Sequence, residues 1–352
     1  MLRLPALGAE DGSEAEERRS EERDLGAANP PERSGGKIGT VRTLLIVNPN
    51  ATSTTRSTRD LLAHALESRT QLTVRQTEHR GHAAELARWA ADTRMDLIVV
   101  HGGDGTVNET INGFLPLPGQ PQREWLPRLG VIPGGSANVF ARSLGIEPDP
   151  VTATNQLIDL LSDDADRRIG LGVADDRWFC FSAGVGLDAD VCEVIDGKRA
   201  NGKAATPARY LRTTVKQFFR AKRHAPQVTL NIPGHEPVTD VHYAFVTNAS
   251  PWTYLDNTPV VTNPGTTFES GLGVFAMRTM GVLPTLMIAR QLLSAQGDPK
   301  GHNLFREDDV PAVTVTAEEP IGLQIDGDFI GRRNMVNFTA VPDILDVVAP
   351  KP

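Results

Sequence analysis

From Thr43 onward, short apolar runs alternate with helical stretches. Leu44-Leu45-Ile46-Val47 is followed by a helical pattern near Arg56 to Glu67, then by Leu72-Thr73-Val74 and a second helical pattern near His82 to Thr93. Leu97-Ile98-Val99-Val100, a further helix and Leu129-Gly130-Val131-Ile132 continue the series. Strands separated by helices in this order predict a doubly wound, mostly parallel α/β sheet with helices on both faces. Ligands of such sheets bind beyond the carboxyl ends of the strands. Three strands here end in polar, turn-rich loops: Asn48-Pro49-Asn50-Ala51-Thr52, the stretch His101 to Glu109, and Pro133-Gly134-Gly135-Ser136-Ala137-Asn138. All three are expected to face one crevice.

After about residue 165 the texture becomes β-rich. Apolar and polar residues alternate in Gln227 to Ile232, Gly273 to Met277, Ala312 to Thr316 and Gly322 to Ile325, which predicts an antiparallel sandwich-like second domain. The expected division is a charged tail over 1–37, an α/β domain over 38–150 and a β-rich domain over 165–352, whose last segment is a candidate to pack back on the first. No internal repeat is evident. Proline-rich Leu115 to Pro127 reads as an exposed loop.

Composition sharpens this picture at three points. Between Glu10 and Arg33 charged residues crowd out large apolar ones, so that segment is expected to be disordered. The 352-residue chain has a net charge of −8, which argues against nucleic acid as a partner. There is neither a membrane-length apolar run nor a signal-peptide core, and the expected location is the cytoplasm. Cys180 and Cys192 lie in no metal-binding spacing and are expected to be buried thiols.

Candidate chemistry begins at the second of the three loops. Gly102-Gly103-Asp104-Gly105-Thr106 places an acid among glycines between a buried strand and a helix. Backbone N–H groups in such a turn attract anions, and an aspartate beside them is useful when a magnesium ion stands between carboxylate and phosphate. The dinucleotide fingerprint fails because Asn108 stands where it needs glycine, and the Walker pattern fails because no Gly-Lys-Ser/Thr occurs. Asp326-Gly327 is a hairpin dipeptide, and Asp328 on that turn can accept a proton from an alcohol.

In their order along the chain, Asn48-Pro49, His101 to Glu109 with Asn112-Gly113, Pro133 to Asn138 and Asp326-Gly327-Asp328 resemble the diacylglycerol kinase catalytic-domain family, which includes soluble bacterial lipid kinases and is related to sphingosine and ceramide kinases. The resemblance implies a two-domain lipid kinase with ATP in the cleft between the domains, transferring its γ-phosphoryl group to the primary hydroxyl of diacylglycerol to give phosphatidic acid. It assigns nucleotide contacts to Gly102, Gly103, Gly105, Thr106 and Glu109, to Asn48, Thr52 and Thr54, and to Gly135, Ser136 and Asn138. Asp104 is expected to hold Mg2+, and Asp328 to deprotonate the lipid hydroxyl. Asp188 and Asp190, near the mouth of the family's lipid pocket, become candidate head-group contacts, although either could simply cap a helix.

The chain also departs from the family pattern. Asp328 replaces a common glutamate, Val139 follows Asn138 where relatives carry aspartate, and Glu269-Ser270-Gly271 lacks aspartates that hold a second magnesium, so that ion is expected to be absent or weak. Lys198 to Arg223 contains nine basic residues and no acid, and reads as a peripheral contact with the inner membrane face. A homodimer stays open. The rival readings are a sphingoid-base kinase, a nicotinamide-dinucleotide kinase, and an inactive lipid- or nucleotide-binding regulator on the same scaffold.

Overall fold

The computed structural model describes residues 41–200, 228–255, 257–279, 281–294 and 297–352. Strand β1 (Val41–Val47) pairs in parallel with β2 (Thr70–Gln76) on one side and β3 (Leu97–Gly102) on the other, and β3 pairs in parallel with β4 (Arg128–Pro133). Leu44 to Ile46 and Leu97 to Val100 are wholly buried, which explains why these strands read as unbroken apolar runs.

Five helices join and cover these strands: α1 (Arg56–Glu67), α2 (His82–Asp92), α3 (Asp104–Phe114), α4 (Val139–Ser143) and α5 (Pro150–Ser162). Local chemistry sets several starts. Thr55 caps α1 by accepting the Thr58 N–H, and Asp149 caps α5 by accepting the Thr152 N–H, with Pro150 in the first turn. Helices α2 and α3 pack unusually close. A Cβ on Gly113 would lie 2.3 Å from the Ala84 carbonyl oxygen, and the buried residues of α2 are all alanines, Ala83, Ala87, Ala90 and Ala91.

The remainder is β5 (Asp166–Ala174), β6 (Arg177–Phe179), β7 (Ser182–Val185), α6 (Leu187–Ala200), β8 (Val228–Asn231), β9 (Val238–Val241), β10 (Tyr243–Thr247), β11 (Thr253–Leu255), β12 (Thr258–Val260), β13 (Leu272–Met277), α7 (Val282–Leu292), β14 (Leu304–Val310), β15 (Ala312–Ile325) and β16 (Asp328–Val348). Pairing among these strands is antiparallel. Strand β16 links them to the parallel set, because Val347 pairs in parallel with Leu129 on β4. Except for the β11–β12 hairpin, the strands form one 14-stranded sheet.

The runs Ala312 to Thr316 and Gly322 to Ile325, expected as separate strands, are the two ends of β15. Its register slips between Thr316 and Ile321, where Glu318, Glu319 and Pro320 are exposed. A proline cannot donate to a ladder, so the sequence pattern breaks while the strand continues.

Two large apolar clusters result. One surrounds the parallel strands and takes in Leu345, Val347, Val348 and Ala349 from the carboxyl end. The other lies within the antiparallel part, where the Phe179 and Phe338 rings meet edge to face, 6.1 Å apart. Cys180 and Cys192 are buried. Among the described residues no helix is long and apolar enough to cross a membrane. The tail over 1–37, and residues 201–227 with most of the basic stretch, lie outside the described residues.

Candidate active site

Parallel order brings the loops after β1, β3 and β4 to one edge, and backbone hydrogen bonds stitch them together. Asn48 N donates to the His101 carbonyl (2.9 Å), Gly134 N to the Gly102 carbonyl (2.8 Å) and Ser53 N to the Gly134 carbonyl (3.0 Å). The glycines are there because the loops touch backbone to backbone: a Cβ on Gly135 would stand 2.7 Å from Gly103 Cα. Asn138, in the left-handed region at φ 48°, closes its own loop by accepting from Gly135 N (2.8 Å) and donating to Gly135 O (2.9 Å).

Side chains complete the stitching. Asn48 Nδ2 donates to Thr106 Oγ1 (3.0 Å), and the Thr52 and Ser136 hydroxyls are 3.2 Å apart. His101 is fully buried between the Thr54 hydroxyl (3.0 Å from Nε2) and the Ile132 carbonyl (3.3 Å from Nδ1). Burial holds its pKa below the usual value, so a neutral ring with the proton on Nδ1 satisfies both contacts.

Three acids converge on the start of α3. Asp104, its first residue, accepts the N–H groups of Val139 and Phe140 at the start of α4, both at 3.1 Å. Burial pushes its carboxyl up to about 6, the two hydrogen bonds opposing and the nearby charge of Asp326 reinforcing the rise. Asp328 opens β16, and its Oδ2 would lie 3.5 Å from a Cβ on Gly105. The same oxygen accepts from Arg80 Nη2 at 3.2 Å.

The third acid, Asp326, is 5% exposed and holds the hairpin that carries Asp328. Asp326 at φ 48° and Gly327 at φ 84° form a tight turn with the left-handed residues expected of an Asp-Gly hairpin. Its carboxylate accepts from Asn108 Nδ2 (2.7 Å) and from the N–H groups of Cys180, Phe181 and Ser182. Burial raises its pKa against those four bonds, and next to it the Cys180 thiol is pushed well above its ordinary value.

Residues 42–167 match the model of the diacylglycerol kinase catalytic domain. This segment is similar to the diacylglycerol kinase catalytic domain. Over 133 residues the chain is 32% identical to a probable lipid kinase YegS-like of Chromohalobacter salexigens, covering 38% of this chain and 40% of that protein. Over 149 residues it is 35% identical to a diacylglycerol kinase of Bacillus subtilis, covering 41% and 46%. The chain thus aligns with less than half the length of these curated relatives. The crystal structure of a putative diacylglycerol kinase from Bacillus anthracis str. Sterne superposes with a TM-score of 0.69 at 22% identity, covering 88% of this chain and 97% of the other, and shows the same fold.

Within this segment the structure gathers Asn48, Thr52, Thr54, Gly102, Gly103, Asp104, Gly105, Thr106, Gly135, Ser136 and Asn138 at one edge, and Asp328 joins them from the far end of the sequence. Glu109 has other work. Its Oε2 accepts the Gly81 N–H at 3.0 Å and so fixes the start of α2 on α3. Asp188 is buried at the start of α6 and accepts from Gln324 Nε2 (2.7 Å), while Gln324 Oε1 accepts the Gly327 N–H (2.8 Å). This chain of contacts supports the Asp326-Gly327 turn. Asp190 is partly exposed and pairs with Arg332 at 3.1 Å.

Arg80, Asn108 and Gln324 are the residues that sequence reasoning missed. Arg80 had a usable signal, since β2 is also a parallel strand and its loop, Thr77 to Gly81, must open on the same edge as the other three. A groove of about 1090 Å³ lies there, lined by Pro49, Asn50, Arg59, Gln76, Thr77 and His82 among others. Asn108 had the position that disqualified the dinucleotide fingerprint. It is 1% exposed, and besides Asp326 it reaches the Trp178 carbonyl (2.9 Å) and accepts from Arg177 Nη2 (2.7 Å).

Among the described residues no group of three or more His, Cys, Asp or Glu forms a ready metal cage. The donors present suit a magnesium ion all the same. Mg2+ keeps several waters and is typically held by one or two carboxylates together with substrate phosphates. Asp104 offers a hard oxygen donor whose charge is disfavoured by burial and by Asp326, so a divalent cation would relieve it.

Proposed function

We propose that the chain is an ATP- and magnesium-dependent lipid kinase that transfers the γ-phosphoryl group to the primary hydroxyl of diacylglycerol, giving phosphatidic acid. One observation carries this reading: Asp328, from the end of the chain, stands over Gly105 at the amino end of α3, one residue from Asp104. Phosphoryl transfer to an alcohol needs positioning, charge neutralisation and an acceptor for the hydroxyl proton. The glycine loops and the positive end of α3 position an anionic chain of phosphates. Asp104 would hold the magnesium ion, which supplies charge neutralisation on the phosphate oxygens when bound. Asp328 accepts the alcohol proton, and Arg80, 3.2 Å from its Oδ2, holds the carboxylate in place. Asp190 beside Arg332 is better exposed to a head group than Asp188, whose carboxylate is committed to Gln324.

The deciding experiment measures magnesium-dependent ADP release from ATP with diacylglycerol, a sphingoid base or NAD, the lipids in mixed micelles. Diacylglycerol is expected to give the fastest release. Release with NAD alone overturns the proposal in favour of a dinucleotide kinase. ATP binding without release on any acceptor overturns it in favour of a regulator.

A further inference from the structure

Eleven large hydrophobic side chains are exposed among the described residues, and five of them lie on α7 and the residue that ends it. Leu283 is 70% exposed, Leu286 60% and Met287 58%, and Val282 and Leu293 complete the group. Leu283, Leu286, Met287, Arg290 and Leu293 recur at spacings of three or four, so they share one side of the helix. The opposite side is packed: Ile288 is buried with Tyr243, Phe245, Phe275 and Met277, and Leu292 lies against the same cluster. The helix is therefore anchored to β10 and β13 by one apolar stripe and turns a second to the outside. Exposed apolar residues scattered singly need no explanation, but a contiguous group like this marks a contact surface.

Charge selects the occupant. No acid occurs from Gly281 to Ser294, and Arg290 stands on the exposed stripe. Lys300 stands beside the helix, its backbone N–H donating to Gln291 Oε1 (2.8 Å) and its carbonyl accepting from Gln291 Nε2 (3.0 Å), although the whole protein is at −8. Asp298 is shared between Lys300 and Arg306. A locally basic surface with a protruding apolar stripe has the composition of a helix that lies in the interface of an anionic bilayer, its apolar residues among the acyl chains and its cations at the head groups.

We propose that α7 is a membrane-docking helix, inserting Leu283, Leu286 and Met287 into anionic lipid with Arg290 at the phosphate level. This places a lipid contact on described residues of the antiparallel part, separate from the basic stretch Lys198 to Arg223. The contact needs neither nucleotide nor turnover, so it stands or falls apart from the transfer reaction proposed above.

The test uses the full chain without nucleotide and vesicles of equal parts phosphatidylglycerol and phosphatidylcholine. Wild-type protein is expected to co-sediment with them and to bind pure phosphatidylcholine more weakly. Serine at Leu283, Leu286 and Met287 together is expected to reduce binding at least about tenfold, and Arg290→Glu several-fold with a loss of salt sensitivity. Because these side chains are exposed, the variants should keep the wild-type circular dichroism spectrum and melting temperature. In a separate Leu283→Trp variant, the new indole should be quenched by brominated acyl chains, a readout that a merely structural helix would not give. Unchanged vesicle binding by a folded triple variant, or an unquenched indole, overturns the proposal. So does lipid-free wild-type protein that sediments as a dimer and becomes a monomer on the triple substitution, since the stripe would then belong to a second copy.

Discussion

The loop edge of the parallel sheet and the outer side of α7 lie at opposite extremes of satisfaction. At the loop edge, side chains and backbone groups that could face water are spent on one another: Thr52 on Ser136, Thr54 on His101, Asn48 on Thr106, and Asn138 on its own loop. On α7, large apolar groups stand uncovered beside a helix face that is already anchored. The difference separates two ways of preparing for a ligand. A phosphate-binding edge must be rigid before its ligand arrives, because preorganised dipoles act only if they do not relax. A membrane-binding stripe needs only exposure and charge, since the bilayer adapts to it.

If the loop edge is chemical machinery, the largest effect belongs to Asp328. Asp328→Asn should lower turnover by about a hundred- to ten-thousandfold while leaving nucleotide affinity within a few-fold, read by steady-state kinetics and by titration with an ATP analogue. Full turnover in the asparagine variant would remove Asp328 from the reaction.

The next effect is on pH. The folded pKa of Asp104, about 6, lies above its unfolded value, so the native state binds the proton more tightly than the unfolded state does. Stability is therefore expected to fall as pH rises from about 4 to about 6 and then to level off, a loss of roughly 3 kcal/mol if Asp104 acted alone. Asp326, raised in the same direction, steepens the slope. Magnesium should raise the melting temperature more at pH 7 than at pH 5, and Asp104→Asn should flatten the pH dependence. Denaturant melts across this range check both.

A smaller effect tests the backbone contact between the glycine loops. Gly135→Ala places a methyl group 2.7 Å from Gly103 Cα and should cost about 1–3 kcal/mol of stability, with a weakened nucleotide affinity. The smallest effect lies on the other side of the comparison. Leu286→Ser on α7 should change stability by no more than about 0.5 kcal/mol, because that residue is mostly exposed. A large loss there would mean that the stripe is covered in the native protein.

The parallel strands were legible because burial on both sides writes an unbroken apolar run, and Leu44 to Val47, Leu97 to Val100 and Leu129 to Ile132 all fall inside strands. The glycine loops were legible because backbone contact tolerates no other residue. Arg80, Asn108 and Gln324 were not read, since each gains its role from a partner far along the chain: Asp328 for Arg80, Asp326 for Asn108, and Asp188 for Gln324. Asp326 itself read as an ordinary turn residue. Its φ fits that reading, but the four donors on its carboxylate come from Asn108 and from Cys180 to Ser182, which only the fold brings to it. The exposed stripe of α7 escaped notice for a related reason. An apolar helix in a sequence reads as buried, and only the packed side chains reveal that one stripe suffices to anchor it.

Strand β16 makes the parallel-sheet part inseparable from the antiparallel part of the molecule. Its first residue supplies the acid over Gly105, and near its other end Val347 pairs with Leu129 on β4, while Leu345, Val347, Val348 and Ala349 fill the core around the parallel strands. A fragment cut to residues 42–167 would lose the acid over Gly105, gain a raw sheet edge along β4 and keep a hole where four apolar side chains belong. The stretch that carries the family signature is thus no autonomous module, and the final few residues of the chain act as its keystone.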